Sequence, residues 1–156
     1  MKTLVVYYSR SGRSRKVAQA IAQALKADLQ EITPLKGYKG LFGFIRAGYQ
    51  ATRGKTPAIK ASDKEWAAYD LVVFGTPIWA SRMSSPLRTA ITENIKNIKK
   101  YAFYCTAGDA AQEKVLADVR ELVGQAPVAS AVFTSIEVAK DGHVEKMNSF
   151  IQAIPR

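Results

Sequence analysis

The chain has 156 residues, enough for one domain with a proper core, and its 47% hydrophobic and 23% charged content is that of a globular protein. No apolar run approaches bilayer-spanning length, and Met1-Lys2 leads straight into a strand pattern with no room for a signal peptide, so a single cytoplasmic domain over residues 1–156 is expected. The net charge of +10 lies entirely in residues 1–60, where 12 Lys and Arg face only Asp28 and Glu31, whereas residues 61–156 carry 11 basic and 11 acidic side chains. That asymmetry implies an anionic ligand, an acidic partner, nucleic acid or an anionic membrane surface, against the plainer alternative of a solvated basic face.

In chain order, Thr3–Tyr8 is rich in β-branched and aromatic residues and reads as a buried strand. After the polar loop Ser9-Arg10-Ser11-Gly12-Arg13-Ser14, a helix is predicted from about Arg13 to Lys26, with Val17, Ala20, Ile21, Ala24 and Leu25 at helical spacing. A short alternating stretch, Leu29 to Ile32, is closed by Pro34. Between Lys36 and Lys60, the residues Leu41, Phe44, Ile45, Gly48, Tyr49 and Thr52 share one helical face. This predicts a second helix covering the sheet with that apolar face; the sharper alternative is a docking surface for an acidic partner or a membrane. Gly43, Gly48 and Gly54 each weaken that helix by up to about 1 kcal/mol.

Tyr69–Gly75 is a second strong strand, ending at Gly75-Thr76-Pro77, and Pro86 to about Ile95 reads as a helix. A strand over Lys100–Thr106 breaks at Ala107-Gly108, and a helix from about Ala111 to Val123 stops at Gly124. Val128–Ile136 is the last predicted strand and Val144–Ile154 the last helix. Five strands alternating with helices define an α/β protein, a three-layer, doubly wound, five-stranded parallel sheet. Loops Ser9–Ser14, Thr76–Ser81 and Thr106–Asp109 each follow a strand and should open at one edge, where such sheets bind ligands.

Hydroxyls around one glycine, aimed into a helix N-terminus, make a place for a phosphate. A Walker A loop is excluded because Gly12 is followed by Arg-Ser-Arg, and a dinucleotide fingerprint because only one glycine is present. Cys105 has no arginine downstream to form a cysteine-phosphatase loop and is expected to be a buried strand residue; alone, it also excludes a disulfide framework. The lone His143, in the turn Lys140-Asp141-Gly142-His143, argues against zinc and a Ser-His-Asp triad, and an exposed position is expected for it. Trp79 follows the strand-ending Gly75 by four residues, where it can stack on a ligand or pack in the core. A phosphate cradle beside an aromatic platform suits a phosphorylated flat heterocycle, flavin mononucleotide (FMN) being the natural candidate.

Ser-x-Ser-Gly-x-Ser after an N-terminal strand resembles the phosphate loop of the flavodoxin family. Gly75-Thr76-Pro77-Ile78-Trp79 is similar to that family's second, ring-stacking loop, and Thr106-Ala107-Gly108-Asp109 to its third. The resemblance covers nearly the whole chain, is of the short-chain type, and implies the strand order 2-1-3-4-5. It implies that Ser9, Ser11, Gly12 and Ser14, with backbone from Arg10 and Arg13, hold the FMN phosphate. Thr76, Pro77, Ile78 and Trp79 would contact one side of the ring, and Thr106, Ala107, Gly108 and Asp109 the other.

Three departures stand out. The family's electron carriers are strongly acidic, unlike this chain. The third loop continues Asp109-Ala110-Ala111-Gln112, without the tyrosine that often covers the outer ring face. Ala80 follows Trp79 where many members carry glycine, and alanine resists positive φ, so no strong semiquinone stabilisation is expected. The resulting expectation is an FMN-binding redox protein that carries electrons to or from an acidic protein partner, with binding residues but no catalytic acid or base. The alternatives are an FMN-dependent NAD(P)H:quinone-type reductase and a cofactor-free interaction module. Nucleic acid is not expected, since Tyr7 and Tyr8 read as strand core rather than base-stacking groups.

Overall fold

The structure is a computed structural model and describes residues 1–107, 111–140 and 142–155. The sheet is built from β1 (Thr3–Tyr7), β2 (Asp28–Glu31), β3 (Leu71–Trp79), β5 (Tyr101–Ala107) and β6 (Ser130–Thr134), all parallel, in the order β2-β1-β3-β5-β6. Counting the parallel strands alone, this is the 2-1-3-4-5 order; a two-residue strand, β4 (Arg82–Met83), pairs antiparallel with the end of β3. The helices are α1 (Arg13–Leu25), α2 (Gly40–Thr52), α3 (Ser85–Asn94), α4 (Gln112–Val123), α5 (Ser135–Ala139) and α6 (Val144–Ala153).

Period-2 alternation in the central strands feeds two cores. Leu4, Val6, Phe74, Phe103 and Cys105 face one side, with Leu87 and Ile91 of α3 and Val115 and Val119 of α4. Val5, Tyr7, Val73 and Tyr104 face the other, with Val17 and Ile21 of α1 and Met147 and Phe150 of α6. Cys105 is fully buried, and burial pushes its thiol up to about 12, as befits a strand residue. Among the described residues, no helix is long and apolar enough to cross a membrane.

Four expectations are corrected. First, β3 does not stop at Gly75. It runs on to Trp79 and folds back through Ala80-Ser81 into β4, with Ile78 opposite Met83 and Trp79 opposite Arg82. Second, the last strand ends at Thr134 rather than continuing to Ile136. Thr134 opens α5 with a reciprocal cap: its hydroxyl accepts from Glu137 N–H while the Glu137 carboxylate accepts from Thr134 N–H.

Third, α2 packs by the opposite face. Gly43, Ala47 and Ala51 are buried against the body, and Leu41, Phe44, Ile45 and Tyr49 point outward. Small residues at four-residue spacing let the helix lie close, and a Cβ at position 43 would collide with the Tyr38 backbone. Fourth, His143 is buried, edge-on to Phe133 with Nδ1 3.4 Å from the Glu137 carbonyl oxygen, because α6 folds back over the sheet.

Candidate functional site

The carboxyl ends of β1, β3 and β5 open at one edge of the sheet. Beyond β1, Gly12 is the N-cap of α1 with φ +93°, a left-handed conformation suited to glycine. No side chain caps this helix, and its first turn holds no acid. The first internal helix bond runs from Lys16 N–H to the Gly12 carbonyl, so the N–H groups of Arg13, Ser14 and Arg15 have no partner within the helix. Ser9 Oγ accepts from Gly12 N–H at 3.0 Å and curls the loop.

The start of α1 is fastened from β5: Ser14 Oγ lies 2.7 Å from Thr106 Oγ1 in a buried pair, and Tyr104 donates to the Ser14 carbonyl at 2.8 Å. Arg15 pairs bidentately with Glu31, which also accepts from the Tyr7 hydroxyl. Burial and the neighbouring Glu31 push that phenol up to about 12. Arg10 reaches forward to α2, donating through Nε to the Tyr38 carbonyl and lying 5.4 Å above the Phe44 ring.

At the second strand end the hairpin places Trp79. Its ring is 9% exposed and meets Tyr38 and Tyr8 edge-to-face, with centroids 4.8 and 5.3 Å away. Trp79 is therefore both a core residue and, along its remaining edge, a wall of the open space. Burial pushes the Tyr8 phenol up to about 12. Ala80 and Ser81 have φ of +48° and +62°, so alanine does adopt positive φ here. A two-residue hairpin requires that conformation. The hairpin is held from below by Asp118 of α4, which accepts from Arg82, Arg88 and Met83 N–H. Thr76 is buried and turned inward, its hydroxyl engaged with Ser84.

Between these pieces lies a trough of 210 Å³. Arg10, Ser11 and Arg13 line it from the first loop, Pro77, Ile78 and Trp79 from β3, and Thr106 and Ala107 from β5. Sequence reasoning also missed two walls: Phe44 of α2 and Ser135 of α5, whose hydroxyl donates to the Ala107 carbonyl. A 130 Å³ hollow continues the trough past Trp79, sharing Arg10, Phe44 and Ile78 and reaching Gly48 and Ala80. A more open hollow of 470 Å³ behind the serine loop has the Glu31 carboxylate in its wall and suits a phosphate poorly.

Of the expected residues, then, eight line one trough. Ser9 and Gly12 shape its loop, and Ser14 and Thr76 are engaged within the fold. Gly108 and Asp109 lie outside the described residues. The donor set fits FMN: an uncapped helix N-terminus, a left-handed glycine and two arginines at one end, and an aromatic wall at the other.

Fold and trough together define a flavodoxin-like flavoprotein. The sequence model of the NADPH-dependent FMN reductase family matches residues 1–117, and the chain belongs to that family, as an FMN-binding member of flavodoxin-like fold. Solved structures agree on the fold. A flavoprotein from Lactobacillus acidophilus, in complex with FMN, is 23% identical with a TM-score of 0.75, over 94% of this chain and 98% of that one. A flavoprotein from Bacteroides eggerthii is 19% identical with a TM-score of 0.73, over 99% of both chains. The oxidised flavodoxin 2 from Bacillus cereus is 17% identical with a TM-score of 0.59, over 98% of this chain and 97% of that one.

Proposed function

We propose that the chain holds FMN in the trough and works as an oxidoreductase that takes electrons from a reduced nicotinamide nucleotide and passes them to a second acceptor. The observation that carries this is the continuation of the trough past Trp79 into an adjoining hollow flanked by Arg10 and Phe44. Membership of the NADPH-dependent FMN reductase family supports the same reading. Bound flavin supplies the two-electron chemistry. The protein's residues bind and orient: the free N–H groups of α1, with Ser11, Arg10 and Arg13, take the phosphate, while Trp79, Ile78 and Pro77 take the ring side and exclude water. Ser9 and Ser14 act by shaping and fastening the loop, and Gly108 and Asp109 are expected to close the far side of the ring.

Mixing the FMN-loaded chain anaerobically with NADPH tests this: bleaching of the flavin absorbance within seconds is expected. A second reading, electron transfer with an acidic protein partner, is favoured by the +10 charge of residues 1–60. Flavin that is inert to NADH and NADPH, yet is reduced through a reductase protein with a rate that falls as salt is added, would establish the carrier and refute the reductase. A chain that takes up no FMN at all would refute both in favour of a cofactor-free module.

A further inference from the structure

The outward face of α2 is unlike the rest of the surface. Leu35, Leu41, Phe42, Phe44, Ile45 and Tyr49 are all large, apolar and more than half exposed, with Phe42 at 87%. Folded monomers rarely leave so much contiguous apolar surface uncovered. Leu41, Phe42, Phe44, Ile45 and Tyr49 form a ridge on a helix whose other face, Gly43, Ala47 and Ala51, is already packed, and Leu35 lies in the segment that leads into it. Along the segment that carries the ridge the charge is of one sign. From Ile32 to Ser62 there is no Asp or Glu, and there are six cations: Lys36, Lys39, Arg46, Arg53, Lys55 and Lys60. Lys36 and Lys39 precede the helix and Arg53 and Lys55 follow it, so cations bracket the apolar ridge at both ends. Arg46 is drawn inward onto the Lys36 and Gly37 carbonyls and stacks over Tyr38.

We propose that this ridge is a docking surface for an anionic lipid bilayer, on which the chain rests peripherally with α2 parallel to the membrane plane. Apolar residues on one exposed stripe, bracketed by Lys and Arg, are the layout of an interfacial helix: the stripe enters the acyl boundary and the cations meet the headgroups. A second copy is disfavoured as the occupant, because joining two such faces would oppose two sets of uncompensated cations. A ridge whose most exposed residue, Phe42, stands almost wholly in solvent suits a deformable surface better than a preformed protein cleft. Phe44 belongs both to the ridge and to the trough wall, so a docked chain holds its trough beside the headgroups. The proposal stands without the flavin reading, since neither Phe42 nor Ile45 lines the trough.

The test is co-sedimentation of the full chain with vesicles of phosphatidylcholine alone and of equal parts phosphatidylcholine and phosphatidylglycerol. Binding to the anionic vesicles only, weakening as salt rises, is expected. Phe42→Ser/Ile45→Ser should lower that binding at least about tenfold while leaving the melting temperature and FMN titration unchanged, since both side chains are exposed. Lys36→Gln/Lys39→Gln should lower it by at least about fivefold, the contribution of one cation held at an anionic surface. Absence of binding to anionic vesicles at low salt would overturn the proposal, as would unchanged binding in the Phe42/Ile45 variant. A wild-type chain that sediments as a concentration-dependent dimer, with that variant monomeric, would assign the ridge to a second copy instead.

Discussion

Replacing Asp118 with alanine should destabilise the fold by about 3–5 kcal/mol and loosen the hairpin that carries Trp79. The Asp118 carboxylate is 5% exposed and serves three donors: Arg88 at 2.5 Å, Arg82 at 3.0 Å and Met83 N–H at 3.2 Å. The donors are not equal. Arg82 is 46% exposed, so its share stays within about 1 kcal/mol. Arg88 is 11% exposed and its Nε is buried without a partner, so removing the carboxylate strands a buried guanidinium. The Met83 N–H, also buried, loses its acceptor.

Asp118→Asn keeps an acceptor in place but not the charge, and should cost about 1–3 kcal/mol; Arg82→Ala should cost under about 1 kcal/mol. Urea melts give these values from the shift in midpoint at unchanged slope, and the alanine variant should melt about 6–20 °C lower. FMN affinity should fall with stability, because the positive φ at Ala80 and Ser81 persists only while its surroundings hold it. An Asp118→Ala chain within about 1 kcal/mol of wild type would refute this reasoning.

Gly12→Val forces a β-branched residue into φ +93°, and flavin-fluorescence titration should show FMN binding abolished. Gly75→Ala places a Cβ against the Tyr104 ring at the centre of the sheet, and an overpacking loss of about 1–3 kcal/mol should appear in urea melts. Burial raises the phenols of Tyr7, Tyr8 and Tyr101 to about 12, against 10 when unfolded. The unfolded chain therefore loses these protons first: stability is full below pH 10 and falls as pH rises from 10 towards 12, which phenolate absorbance followed alongside denaturant melts will register.

The parts legible in the sequence were those whose signal is local. The central strands announce themselves by β-branched runs, α1 by its stripe of Val17 and Ile21, and the end of α4 by Gly124. The serine loop is legible for the same reason, since Gly12 and its hydroxyl neighbours lie within six residues.

What stayed hidden depends on partners far along the chain. Asp118 reads as one more polar helical residue until Arg82 and Arg88, 36 and 30 positions earlier, are brought beneath it. The hairpin after β3 lacks the Asn-Gly that marks a tight turn, and the distant Asp118 carboxylate, together with the Thr76–Ser84 hydrogen bonds, holds Ala80-Ser81 in its place. The helix α5 is an intermediate case. Thr134-Ser135-Ile136-Glu137 spells a capping box, a local signal outweighed by the β-branched run before it.

For α2 both faces qualify as a core face, one large and apolar, the other Gly43, Ala47 and Ala51. Hydrophobicity alone selects the large residues. Close packing selects the small ones, because the Tyr38 backbone leaves no room for a Cβ at Gly43. The result is the exposed ridge. A helix that satisfies the fold with glycine and alanine leaves Phe42 and Ile45 free for a contact outside it.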